Sequence, residues 1–381
     1  MGRVVAAEVF GSLNGEEKGQ RMGNDSPKRL AEPKRHHQVP KFYLCRFATS
    51  SKKISVYDRM KRQTYGTSVE NVTVENGFYD FPLEDGAISK DAEKALQRVE
   101  IVGKTALDAI DHAPANWAGP SEADRIGLAI FIAVQAVRTR EYRHAQEEME
   151  DLWIRMQMDL NLSGDDERRA RYIEHLTGKP PTKRDLDLAR LVSESIESFR
   201  VGLDRRRAVY EMFHESQVIA PLIASRPWSL LVTGKRSFVT SDRPVTLWRQ
   251  RTHDNRQYGV GIGNAEAIYF PLDPYKLLVL GTGFDGGWRV DTPTSKEIRR
   301  INQEVAHWSQ RWVLHHPDHV QPLRGLTIPT EGPVLHINGI AVRPGVNVWN
   351  QLRRGFIERT EVPVIHFGFG VDRSRSFAKR R

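Results

Sequence analysis

The chain has a single cysteine among 381 residues and contains no long apolar run. Cys45 cannot form an internal disulfide, which is typical of proteins in a reducing cytoplasm, so we expect a cytoplasmic protein. No stretch approaches the roughly eighteen consecutive apolar residues of a membrane-spanning helix, so the sequence predicts no contact with a membrane. Residues 4–10 are largely apolar, but Glu8 interrupts them and no small-residue cleavage pattern follows, which is not typical of a secretory signal.

The sequence also lacks a P-loop, a nucleophile elbow, a zinc-ligand spacing and any internal repeat. The glycine-rich residues 259–263 lack the strand-then-helix setting of a nucleotide loop, and a glycine-rich hairpin explains them better. His315, His316 and His319 are of a metal-binding type, but the neighbouring Pro317 and the coil context do not define a site. No motif therefore assigns an activity.

Positive charge exceeds negative charge, with a net value of +9. Almost half of this excess lies in residues 371–381, where five basic residues stand against one acidic residue. Such a tail binds anions loosely without any groove. The charge is therefore compatible with nucleic acid or another polyanion as a partner, and it does not locate a binding site.

The distribution of apolar and polar residues predicts an α+β fold, with a central helical lobe followed by a mostly antiparallel β-sheet lobe. We expect residues 1–33 to be a disordered leader because they lack apolar periodicity. Residues 34–220 are predicted to hold an N-terminal motif, a short hairpin and the helical lobe. Residues 221–370 are predicted to form the β-rich lobe with one long helix, and residues 371–381 a basic tail.

Individual elements follow from apolar spacing. A stripe from Ser89 to Ile110 predicts one helix, and Ser121 is a predicted N-cap of the next. Residues 126–137 are apolar almost all round, which predicts a central helix that residues 152–158 continue. The other predicted helices are 168–176, 185–215 and 293–310. The predicted strands are 53–58, 63–67, 228–233, 237–240, 245–248, 267–271, 276–281, 312–315, 339–342 and 364–369.

A histidine-containing stretch opens the structured part of the chain. Residues 37–47 read HQVPKFYLCRF, which predicts a short helix after Pro40. Further segments follow in the order VYD at 56–58, FY at 78–79, a helix at 93–110, QAVRT at 135–139, TSDRPV at 240–245, FPLDP at 270–274 and IN at 301–302. In this order the segments resemble an uncharacterised bacterial family, a domain of unknown function, over about residues 36–315. The resemblance implies positions and no established activity.

Two of these positions have side chains suited to catalysis. His37 is able to bind a metal or act as a general base near neutral pH, or else to cap the following turn through backbone hydrogen bonds. Asp242 either presents a carboxylate at the end of a strand, where sites often gather, or closes an Asx-turn. The sequence leaves both alternatives open.

Gln135 and Arg138 lie three residues apart and share one face of a helix. They follow an apolar run, where an unpaired guanidinium would be costly to bury, so Arg138 needs a carboxylate, a phosphate or solvent. Its candidate partners are Glu100, Glu141 and Asp242. We favour a structural ion pair over a substrate contact as the account of this arginine.

These positions support two hypotheses of different kinds. In the first, the chain is a metal-dependent hydrolase, specifically a nuclease that cleaves phosphodiesters. His37 and Asp242 would bind a divalent metal, and Glu100, Gln135 and Arg138 would complete the catalytic set. In the second, it is a non-enzymatic binding or regulatory module in which the same residues are structural. Both hypotheses predict that the five residues converge where the helical lobe meets the sheet.

Overall fold

A computed structural model describes residues 35–81, 88–114, 117–202, 205–234, 236–252, 259–283, 286–319, 322–337, 340–341, 348–351 and 367–370. The predicted leader and the predicted basic tail lie outside the described residues. The chain divides into two compact units. One comprises the described residues of Met1–Glu141, Arg205–Pro333 and Phe369–Arg381, and the other those of Tyr142–Asp204 and Val334–Gly368. These units are discontinuous in sequence, whereas the segments predicted from the sequence are continuous.

The opening stretch is held by a small two-stranded sheet. Strand β1 (Arg35–His37) pairs antiparallel with β4 (Val74–Asn76). Helix α1 (Lys41–Cys45) begins directly after Pro40, as predicted. The hairpin of β2 (Lys53–Asp58) and β3 (Gln63–Ser68) follows, and a 3-10 turn (Val69–Asn71) leads into β4.

The remaining helices include a buried central one. They are α2 (Asp91–Asp111), α3 (Glu122–Val137), α4 (Arg140–Leu162), α5 (Asp166–Thr177), α6 (Lys183–Glu194), α7 (Arg205–Ser225) and α8 (Ser295–Trp308). Helix α3 packs against α2 and α7 and is buried from Gly127 to Gln135, which confirms the predicted central helix. The Ser121 side chain caps it, accepting a hydrogen bond from the backbone N–H of Asp124. Gly103 on α2 allows the close approach, because a Cβ there would lie 2.5 Å from Cγ of Phe131.

The strands form mostly antiparallel sheets, and the predicted α+β class is confirmed. The five-stranded sheet has the order β10 (Trp288–Asp291), β5 (Trp228–Val232), β9 (Lys276–Leu280), β8 (Ala267–Asp273) and β7 (Thr246–Trp248). Its β10–β5 pair is parallel. A four-stranded sheet has the order β3, β2, β11 (Trp312–His315) and β6 (Thr240–Ser241), and a three-stranded sheet has the order β13 (Ile340–Ala341), β12 (Val334–Ile337) and β14 (Phe367–Gly370).

Two helix predictions are wrong in their bounds. Residues 152–158 do not continue the central helix, because α3 ends at Val137 and α4 begins at Arg140. Arg138 caps α3 with a ψ of 34°, which leaves the helical region and breaks the rod. The predicted helix over 185–215 is two helices, α6 and α7. No helix among the described residues is both long enough and apolar enough to cross a bilayer.

Candidate functional site

Arg138 joins three segments at the end of α3. Its Nε donates to the Tyr79 hydroxyl at 2.7 Å, Nη1 to the Glu100 carboxylate at 2.9 Å, and Nη2 to the His37 carbonyl at 2.6 Å. Its guanidinium carbon also lies 5.5 Å from the centre of the Tyr79 ring. We call these four residues the Arg138 cluster.

The cluster satisfies a buried charge with protein groups. Burial by itself would lower the pKa of Arg138, but Tyr79 and Glu100 outweigh it and raise the pKa, so the guanidinium stays charged. Its side chain is 5% exposed, whereas that of Glu100 is 28% exposed. The arginine is therefore held from three directions and presents little surface to a substrate. Of the three candidate partners, Glu100 forms the ion pair with Arg138.

His37 contributes its backbone to the cluster, and its side chain is half-buried. Desolvation lowers the pKa of its imidazole, which therefore stays neutral at physiological pH. Its Nδ1 is buried and has no hydrogen-bond partner among the described residues. A neutral imidazole with a free nitrogen is a competent metal ligand, but this nitrogen faces no solvent. The neighbouring His36 binds a distant segment, since its Nδ1 accepts the backbone N–H of Tyr79 at 3.3 Å.

Gln135 lies on the buried face of α3. Its side chain is 2% exposed, and neither amide atom has a hydrogen-bond partner in the described part of the chain. No hydrogen bond joins it to Arg138, which lies one helical turn further along. The structure therefore gives Gln135 no role in the Arg138 cluster.

Asp242 belongs to a different set of contacts. One carboxylate oxygen accepts the backbone N–H of Gln310 at 2.8 Å, and the other accepts those of Arg311 and Trp312 at 2.7 and 2.9 Å. Burial raises the pKa of the Asp242 carboxyl, and the three N–H donors oppose that rise. The carboxylate thus fastens the start of β11 to the turn after β6. Both carboxylate oxygens of Asp242 therefore accept hydrogen bonds from backbone N–H groups.

Other segments that carried the family resemblance also bind one another. The Tyr43 hydroxyl donates to the Pro271 carbonyl at 2.6 Å and lies 2.8 Å from Oγ1 of Thr240. Asn302 on α8 accepts from the Val239 N–H at 3.1 Å and donates to the Ser237 carbonyl at 2.9 Å. These buried polar groups are paired within the fold, as buried polar groups generally are.

The five candidate residues therefore do not form one hydrogen-bonded set. The structure brings His37, Glu100 and Arg138 together, while Gln135 stands apart and Asp242 binds the backbone of residues 310–312. Among the described residues, no hydrogen bond or ion pair joins Asp242 to the Arg138 cluster. No group of three His, Cys, Asp or Glu side chains is arranged to hold a metal ion within the described ranges.

A cleft elsewhere in the same unit has the features of a binding site. It encloses about 690 Å³, and its lining includes Arg236, Arg299 and Arg324 together with Tyr275 and His319. No aspartate or glutamate is among the described residues that line it. We call it the arginine cleft. Its volume lies within the range of about 300–1,000 Å³ that is usual for small-molecule sites.

The guanidinium groups of the cleft differ from that of Arg138 in their contacts with the rest of the chain. In the part of the chain that the structure describes, Arg236 and Arg324 form no hydrogen bond or ion pair, and Arg299 donates only to the Gly325 carbonyl, at 2.6 Å. Gly325 has a φ of 73°, and a Cβ at this position would collide with the Arg299 guanidinium. The glycine thus positions one of three arginines whose charge no carboxylate neutralises.

Aromatic rings complete the lining. The Tyr275 hydroxyl lies 2.9 Å from Nε2 of His319, and their ring centres are 5.3 Å apart. The His319 ring in turn lies 4.9 Å from that of His316. Burial lowers the pKa of His319, and His316 adds to this effect. The lowered pKa favours a neutral His319 imidazole, and the arginines supply positive charge to the cleft.

No sequence pattern predicted the arginine cleft. Its three arginines come from a loop, a helix and a second loop, so no spacing connects them. The one signal near it was the group of His315, His316 and His319, which the sequence marked as a metal-binding type. The structure uses His319 as part of the aromatic lining instead.

One comparison with known proteins places the chain. A family model described as "Protein of unknown function (DUF4238)" matches residues 35–319, which is most of the chain and includes both the Arg138 cluster and the start of the arginine cleft's last loop. No curated protein and no solved structure matches the chain.

Proposed function

Because the chain belongs to this family of unknown function, we propose its role from its structure: it is a non-enzymatic binding module that takes up a phosphate-bearing anion in the arginine cleft. The observation that carries this proposal is the presence of three arginines without a carboxylate partner around one cavity. Guanidinium groups bind phosphate through charge-assisted and often bidentate hydrogen bonds. Nucleic acid and other polyanions belong to this class of partner. We further propose that the protein is cytoplasmic.

The contacts of the predicted catalytic residues support a structural role. Arg138 donates hydrogen bonds to a hydroxyl, a carboxylate and a carbonyl of its own chain. Asp242 accepts three backbone N–H groups. Neither group has a free side toward which a substrate would bind. Residues of this kind join distant segments, and their loss lowers stability before it affects any chemistry.

The metal-dependent phosphodiesterase is the second candidate, and one observation favours it. The buried Nδ1 of His37 has no partner among the described residues, and burial keeps its imidazole neutral by lowering the pKa. A metal bound there would need further ligands, and the Arg138 cluster contains one carboxylate, that of Glu100. This candidate requires metal-dependent cleavage of nucleic acid that His37→Gln abolishes at unchanged stability.

A thermal-shift titration tests the leading proposal. Sodium phosphate should raise the melting temperature more than sodium chloride does at equal ionic strength, because a ligand that binds only the folded state stabilises it. The triple variant Arg236→Gln/Arg299→Gln/Arg324→Gln should lose this difference. Arg184→Gln, an exposed arginine of α6, is the matched control and should keep it. An equal response of the triple variant and the parent would contradict the proposal.

A further inference from the structure

We propose that the ligand of the arginine cleft is a phosphomonoester of mononucleotide size that carries a planar ring. This inference rests on the proposed function and adds the ligand class. Two features of the lining carry it, namely three guanidinium groups that no carboxylate among the described lining residues neutralises and an exposed aromatic ring beside them.

The charge of the lining fits a terminal phosphate. Arg236, Arg299 and Arg324 carry three positive charges, and the lining residues include no acid to offset them. A phosphomonoester carries up to about two negative charges near neutral pH and offers three acceptor oxygens, whereas a phosphodiester carries one. The monoester therefore neutralises the arginines more completely.

The size of the cleft requires more than a phosphate. A cavity of about 690 Å³ is far larger than one inorganic phosphate fills. Pockets of this size are typical of ligands with a ring and a side chain, which bury most of their surface. A ligand that fills the cleft therefore carries a second part beside its phosphate.

Tyr275 offers a surface for that part. The residue is 46% exposed, and its orientation is fixed by the 2.9 Å contact between its hydroxyl and Nε2 of His319. An aromatic ring held in place in this way stacks on the planar face of a ligand at little cost in conformational entropy. The imidazole of His319 extends the same wall.

A mononucleotide fits this lining better than a nucleic-acid strand does. Strand-binding proteins combine a long basic groove with several successive stacking side chains. Among the described residues the cleft has one exposed tyrosine, and its basic residues line a single half-open pocket of limited volume. One phosphate and one ring match what the described lining provides.

Isothermal titration calorimetry with the full chain tests this inference. The probes are AMP, ribose 5-phosphate, adenosine and an unphosphorylated thymidine decamer. AMP should bind most tightly, ribose 5-phosphate about tenfold more weakly, and adenosine and the decamer more weakly still. Arg299→Gln should weaken AMP and ribose 5-phosphate by about tenfold, while Arg184→Gln should change neither. Tyr275→Ala should remove the advantage of AMP over ribose 5-phosphate and leave ribose 5-phosphate unchanged.

The outcomes separate the inference from the proposed function. Suppose that AMP and ribose 5-phosphate bind the parent with equal affinity and that Arg299→Gln abolishes both. This result would refute the claim that the ligand carries a planar ring, and it would support the anion site. If the decamer binds more tightly than AMP and Arg299→Gln weakens that binding, the claim of a mononucleotide ligand is refuted. The protein is then a module that binds polyanions. Binding that no cleft variant changes, or no binding of any probe, would overturn both.

Discussion

Replacement of Arg138 by methionine tests whether the Arg138 cluster is structural. Methionine keeps the apolar stem of the side chain and removes all three charge-assisted hydrogen bonds. The Tyr79 hydroxyl, which belongs to a residue 3% exposed, then loses its donor, and so does the His37 carbonyl. Glu100 keeps part of its hydration because its side chain is 28% exposed.

The expected cost is about 3 kcal/mol. Breaking a buried ion pair by removing one partner costs about 3–5 kcal/mol, and the partial exposure of Glu100 places this case at the lower end. Each buried group left without a hydrogen bond contributes about 1–3 kcal/mol within that total. Removal of the desolvated guanidinium itself offsets part of the loss.

Urea unfolding followed by tryptophan fluorescence measures this cost, with Arg184→Met as the exposed control that should change stability by less than about 0.5 kcal/mol. A double-mutant cycle with Tyr79→Phe should give a coupling energy of about 1–2 kcal/mol, because Nε of Arg138 donates directly to the Tyr79 hydroxyl. A cost below about 1 kcal/mol, with no coupling to Tyr79, would refute the structural account of the cluster.

Four further changes test the fold around the site. Asp242→Asn should lower the free energy of unfolding by about 2–4 kcal/mol, because an amide NH2 would face a backbone N–H where the carboxylate offers an acceptor. Asp108→Asn on the surface is its control, and an equal loss of stability in both variants would contradict the role of Asp242. Gly103→Ala should cost about 1–3 kcal/mol through its clash with Phe131, and a gain in stability would show that the helices separate freely. Ile130→Asp should prevent stable folding, since the position is 2% exposed, and an unchanged thermal melt would contradict the central place of α3. Because burial lowers the pKa of His37 below 6.5, the unfolded state binds its proton more readily; the free energy of unfolding should fall as the pH drops below about 6.5, and His37→Gln should reduce that fall, as urea unfolding at each pH would show.

Local sequence patterns were sufficient for much of the fold. The largely apolar run of residues 126–137, with Ser121 before it, predicted the buried helix and its cap. Alternation predicted β2 at residues 53–58 with its observed bounds. Helix periodicity, strand alternation and capping depend on residues that are close in sequence, so the local sequence is enough to predict them.

The candidate site depended on contacts between distant segments and was predicted only in part. The need of Arg138 for a carboxylate followed from its apolar flank, and Glu100 supplies it. The donation to the His37 carbonyl could not be foreseen, because every residue has a carbonyl group. The backbone N–H partners of Asp242 were hidden for the same reason.

The arginine cleft was beyond the reach of sequence patterns. Arg299 lies within the predicted helix 293–310, and only the fold brings it beside Arg236 and Arg324. The positive φ of Gly325, which allows Arg299 to approach, is a property of the folded chain. Charge that lacks a partner becomes recognisable once the neighbours in space are known.

Hydrogen–deuterium exchange with and without saturating sodium phosphate tests most directly whether the arginine cleft is the anion site. The account predicts slower exchange in peptides that cover Ser237, the first turns of α8 and residues 322–326, which line or flank the cleft. It also predicts unchanged exchange around residues 135–141 at the end of α3. Protection centred on residues 135–141, with none at the cleft, would contradict the account and return the site to the Arg138 cluster.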